Sequence, residues 1–182
     1  MQLPEPSTKS PGHKAARAAV RRLEAGTVRT LCLLGDPEDI CAPAVAFYAV
    51  GSHNSGNRYG VPWCDMHAPS IGIPDKAQME CVEKAPVVVF YKAHGYVDII
   101  ALENFVALVL GRHAVGLQTI ITTRHANFAD VCRWLVDSGL PHATVVPLFG
   151  LFTTPEALAI SIFDDAAPPA LAAHAVGPPA LR

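Results

Sequence analysis

Between Pro86 and Thr123 the chain reads as strand, helix and strand in succession, and this constrains the fold more than any other feature. Pro86 to Tyr91 (PVVVFY) is β-branched and aromatic throughout, the pattern of a buried strand. Val97 to His113 is a helix apolar on most sides, and Leu117 to Thr123 (LQTIITT) is a second strand. Strands alternating with helices point to an α/β domain in which helices cover a central sheet.

The flanking segments extend the pattern. His13 to Ala25 is a helix with Ala16, Ala19, Val20 and Leu23 on one face and arginines on the other, stopped by Gly26. Val28 to Leu34 reads as a short strand, Asp36-Pro37-Glu38 as a helix start and Ala42 to Val50 as a helix. Asn127 or Asp130 caps a helix that ends at Gly139-Leu140-Pro141. His142 to Phe149 (HATVVPLF) is expected to be a third strand, and Thr154-Pro155-Glu156 to open a last short helix. With 182 residues, 51% of them hydrophobic, the chain suits one α/β domain over 13–165. A Pro/Ser-rich arm, 1–12, precedes that domain, and an Ala/Pro-rich arm, 166–182, follows it.

Charge and cysteines narrow the partners. A net charge of -2 argues against a nucleic-acid partner bound by neutralising phosphates over a whole surface. The most apolar segment, Val97 to Leu110, carries Asp98, Glu103 and Asn104 and falls short of the roughly 20 residues of a membrane span, so no membrane partner is expected. Cys32, Cys41, Cys64, Cys81 and Cys132 are odd in number and lack paired spacing, which suits a reduced, cytoplasmic chain. Met1 to Gly12 has no apolar run of the signal-peptide kind.

Residues 53–70 (HNSGNRYGVPWCDMHAPS) concentrate polar chemistry without any hydrophobic period. Cys64 with His94 or His67 would make a cysteine hydrolase or amidase if an imidazole lies close enough to lower the thiol pKa. Cys64, His67, Cys81 and His53 would make a zinc site, but the one pair-like spacing is weak and no metal is expected. Leu33-Leu34-Gly35-Asp36-Pro37 and Thr123-Arg124-His125 resemble parts of two helicase motifs, without the Gly-rich phosphate loop that should accompany them. The remaining reading is a flat-ringed ligand held by the Gly/Asn loop, its phosphate met by the basic first helix. FMN divides its needs in this way.

Several motifs then fall in the order found in one family. Arg21-Arg22 with Arg29, Ser55-Gly56-Asn57-Arg58 before Pro62-Trp63, Ala85-Pro86 before VVVF, Ala101-Leu102-Glu103-Asn104-Phe105 running to Gly116-Leu117, and Ser138-Gly139-Leu140-Pro141 with VVPLFG together resemble the FMN-dependent nitroreductase superfamily. The resemblance implies an α+β sandwich of the nitroreductase type in an intertwined homodimer, with the helix from Val97 to His113 at the interface. It implies that Arg21, Arg22 and Arg29 hold the flavin phosphate, that Ser55, Asn57 and Arg58 hold the ring and ribityl chain, and that Gly116, Gln118 and Thr119 lie near the reactive edge. Gln118 stands where the family has glycine. The implied activity is an oxidoreductase in which NADH or NADPH reduces FMN and a nitro, quinone or similar small-molecule acceptor takes the electrons. The alternatives are a non-catalytic α/β flavin or metabolite binding protein and the Cys64–His94 hydrolase.

Overall fold

The structure, a computed structural model, describes residues 12–35, 63–65, 80, 82–91, 93–95 and 98–161. Its centre is a sheet of strands β1 (Thr30–Leu34), β2 (Trp63–Asp65), β3 (Val87–Tyr91), β4 (Gln118–Thr123) and β5 (Ala157–Ser161). They lie in the order β2-β3-β4-β1-β5, and every neighbouring pair is parallel. Four α-helices are described: α1 (Gly12–Glu24), α2 (Ile99–Ala114), α3 (Phe128–Asp137) and α4 (His142–Leu151). The α/β architecture read from alternating strands and helices is therefore present.

Alternation along the strands splits the core in two. Leu31 and Leu33 of β1, Val87 and Val89 of β3 and Ile120 of β4 pack with Ala19, Val20 and Leu23 of α1. Cys32, Leu34, Val88, Phe90 and Ile121 point to the opposite face and pack with Leu102, Phe105, Val106 and Val109 of α2, Val131 and Leu135 of α3, and Val145, Leu148 and Leu151 of α4. A strand with both faces covered has no use for polar alternation, which is why PVVVFY and LCLL carry none. Each fully buried Leu or Ile contributes roughly 1.5–3 kcal/mol relative to exposure.

Helices α2, α3 and α4 share a face for a reason of handedness. The steps from β3 to β4 and from β4 to β5 run the same way across the sheet, and right-handed crossovers in one direction place their helices on one side. The step from β1 to β2 runs the opposite way. The strand order thus reverses between β1 and β4.

Three expectations are corrected. Residues 142–149, read as a third strand, form the first eight residues of α4. Their β-branched composition suggested a strand, but the buried positions are Val145, Leu148 and Leu151, at helical spacing, while Val146 is 61% exposed. Pro147 would also remove a ladder bond from a strand; in α4 the missing N–H and the ring crowding fall on the carbonyl of Ala143, which faces solvent. The segment after Thr154, read as a helix start, turns instead into β5, where Leu158 and Ile160 join the α1 face and Ala157 and Ala159 the other. Trp63, Cys64 and Asp65, read as part of a ring-holding loop, pair in register with Val89, Phe90 and Tyr91. That pairing satisfies backbone groups that β3 would otherwise leave open on that side.

The expected arms (apart from Gly12), the expected helix over 42–50 and the loop residues His53, Ser55, Asn57, Arg58 and His67 lie outside the described residues, as do Cys41 and Cys81. Among the described residues no helix is long and apolar enough to cross a membrane.

Candidate functional site

The residues expected to hold flavin gather, where they are described, at the amino edge of the sheet. Arg29 immediately precedes β1, Gln118 opens β4, and the register pairs Thr30 with Thr119. Arg21 and Arg22 are exposed in the last turn of α1, and Gly116 occupies a turn at φ 80°. The Arg29 backbone and the Gln118 and Thr119 side chains make structural bonds there. Arg29 donates its N–H to the Glu156 carbonyl at 2.7 Å and accepts from the Thr119 N–H at 2.8 Å. Gln118 Nε2 donates to the Leu23 carbonyl at 2.7 Å, tying α1 to β4, and Thr119 is fully buried with its Oγ1 accepting from Arg112 Nε at 3.1 Å. The side chain at position 118, where glycine would let a ring approach, is spent on anchoring a helix. Gln118→Ala is expected to cost about 1 kcal/mol and to speed amide exchange in α1 before the rest of the domain. Uniform exchange across α1 and β4 would show that this bond anchors nothing.

His113 also serves this edge, its Nδ1 lying 2.9 Å from Thr30 Oγ1. Burial lowers its pKa first, the charge of Arg29 lowers it further, and Glu156 partly offsets both. The imidazole is neutral in the folded protein at neutral pH.

The carboxyl edge is different in character. β1 ends at Leu34, in register with Thr123, and the Gly35 N–H donates to the Thr123 carbonyl at 2.8 Å. Gly35 has φ 149°, a conformation that a side chain would strain, so the chain can leave β1 here only as glycine. β4 leads directly into Arg124 and His125. Thr123 Oγ1 lies 2.7 Å from His125 Nδ1, and the Arg124 N–H donates to His94 Nδ1 at 3.2 Å. His94 arrives on the 3-10 turn Ala93–Gly95 that follows β3. The His125 ring stands edge-on to His94, centroids 6.3 Å apart, and 5.4 Å from the Trp134 ring of α3. Accepting from the Arg124 amide fixes neutral His94 with its proton on Nε2.

His125, like His113, is held below the ordinary histidine range, by burial first and by the Arg124 charge second, with Asp130 acting in the other direction. Asp130 itself is engaged by Arg133 at 3.1 Å and by Asn127, whose Oδ1 caps α3 through the Asp130 N–H. Both histidines take up protons more readily when the chain unfolds, so stability is expected to be full above pH about 6.5 and to fall as the pH drops through the lowered folded values. Urea midpoints at pH about 7.5 and about 5.5 test this: His113→Gln should shrink the difference between them. An unchanged difference would remove His113 from the account.

Cys64 lies within β2 and His94 after the end of β3, the adjacent strand. The structure describes the backbone of Cys64 alone, while His94 Nδ1 is engaged by Arg124. Cys132 is inert by comparison, its thiol pushed up to about 12 by burial. Among the described residues no group of three His, Cys, Asp or Glu side chains is placed to hold a metal ion.

Two segments noted separately in the sequence are thus neighbours in space. Leu33-Leu34-Gly35 closes β1, and Thr123-Arg124-His125 leaves β4 beside it, at the one place where the strand order reverses. In parallel α/β sheets, ligands enter the crevice outside the carboxyl ends of strands at such a reversal. Trp134 carried no signal in the sequence beyond helical spacing. His125 could have been singled out as a polar residue just past an apolar strand and just before the helix cap Asn127. A search of family models, curated proteins and solved structures finds no match to this chain.

Proposed function

We propose that the protein binds a small metabolite at the carboxyl edge of its sheet, in the crevice between β1 and β4. One observation carries this reading: the reversal of strand order coincides with a convergence of Arg124, His125, His94 and Trp134, drawn from three separate elements. At the amino edge the polar side chains of Gln118 and Thr119 are bonded within the protein.

The sequence resemblance supplies a catalytic version, in which FMN is the ligand, NADH or NADPH the electron donor and a nitro or quinone compound the acceptor, in a cytoplasmic homodimer. The geometry favours binding over that version, since Gln118 and Thr119 do not present themselves to a flavin. One pair of measurements tests both. Metabolites added to the isotopically labelled protein should shift the amides of Gly35, Thr123, Arg124 and His125, and FMN retained through desalting should give visible flavin absorbance only if the catalytic version holds. A ligand that shifts the amides of Arg29 and Gln118 while leaving the carboxyl edge still would overturn the proposed site.

A further inference from the structure

At the carboxyl edge, just past β4, stand one fixed cation, Arg124, and one imidazole, His125. Arg124 is exposed, and among the described residues its guanidinium pairs with no carboxylate. It stands close enough to His125 for its charge to bear on that ring. His125 is held in place through Nδ1 by Thr123, with the Trp134 ring tilted against it and His94 at right angles to it, and among the described residues its Nε2 has no hydrogen-bond partner. Asp130, the carboxylate nearest in effect, is occupied by Arg133 and Asn127. At the N-terminus of α3 the Asn127 side chain takes the Asp130 amide.

Resting on the carboxyl-edge reading, we infer that the ligand is a phosphorylated small molecule whose phosphate is gripped by the Arg124 guanidinium and by His125 Nε2. With Nδ1 accepting from the Thr123 hydroxyl, His125 Nε2 carries the ring proton, and two donors on successive residues, one a planar fork and one a single ring nitrogen, suit an acceptor group with several oxygens facing more than one direction. A phosphoryl group has three, and a carboxylate has two in one plane. The sequence carries neither G-x-G-x-x-G nor G-x-x-x-x-G-K-[ST], the motifs that cradle phosphate with backbone amides. Thr123 acts as a positioning residue: fully buried, it sets the rotation of the His125 ring from below.

The test uses the full chain with pyrophosphate, adenosine and succinate as probes, followed by calorimetry and by amide shifts. Pyrophosphate should shift the Gly35, Arg124 and His125 amides, and Arg124→Gln and His125→Gln should each raise its Kd on the order of tenfold or more. Arg124 is exposed, so its variant folds; the amide spectrum verifies this for His125→Gln. Adenosine or succinate shifting the same amides as strongly as pyrophosphate would overturn the phosphate assignment and leave the carboxyl-edge site standing. Pyrophosphate acting instead at Arg21, Arg22 and Arg29 would overturn it in favour of the amino edge. If none of the probes moves the carboxyl-edge amides, the inference fails. Should metabolites at large also leave those amides unmoved, the site itself fails with it.

Discussion

Arg112→Ala is expected to lower the unfolding free energy by about 3–5 kcal/mol, the largest loss of any polar substitution among the described residues. Arg112 is 2% exposed in the last turn of α2. Its guanidinium donates to the carbonyls of Val82, Glu83 and Gln118 and to Thr119 Oγ1, joining the chain before β3, the end of α2 and the start of β4. Truncation leaves these buried acceptors without their donor and opens a cavity of side-chain size, and both effects act in the same direction. Arg112→Lys keeps the charge but replaces a fork by a point, so it should restore less than half of the loss. Arg112→Met fills the volume without the hydrogen bonds. Urea unfolding at unchanged m-value measures all three. A methionine variant as stable as the parent would show that packing, not hydrogen bonding, is what Arg112 supplies.

Phe105→Ala comes next, at about 3–5 kcal/mol. The ring is 2% exposed and meets Phe90 of β3 edge-on, centroids 5.1 Å apart and planes at 84°. Its loss removes a large buried area together with that aromatic contact. The sequence resemblance assigns α2 to a dimer interface, whereas the structure buries Leu102, Phe105, Val106 and Val109 inside a single chain. The two accounts differ in their concentration dependence. A core residue destabilises equally at every protein concentration; an interface residue does so less as concentration rises, because association adds stability by mass action. Melting the variant at concentrations a hundredfold apart therefore separates them, and a midpoint that climbs with concentration would return α2 to an interface.

The elements between residues 85 and 138 were legible because their signals are local. An unbroken β-branched run needs two covered faces, Asp98 and Asn127 cap the helices that follow them, and Gly139 at φ 102° ends α3. The segment from 142 to 161 was misread because its local signals point the wrong way. HATVVPLF has the composition of a strand, yet α2 and α3 offer it a groove that rewards helical spacing; ALAIS has helix formers, yet the open side of β1 offers backbone partners.

The site divides in the same way. From sequence alone came the class of fold, the arginine-rich first helix, and the two short segments Leu33 to Pro37 and Thr123 to His125. That these two lie side by side follows from a strand order that places β1 next to β4, and β3 on the other side of β4 brings His94 to His125. Periodicity reports which faces of an element are buried. It carries no record of which strand becomes the neighbour, because that choice rests on crossover handedness and on packing between residues some ninety positions apart in the chain, as Thr30 and Thr119 are.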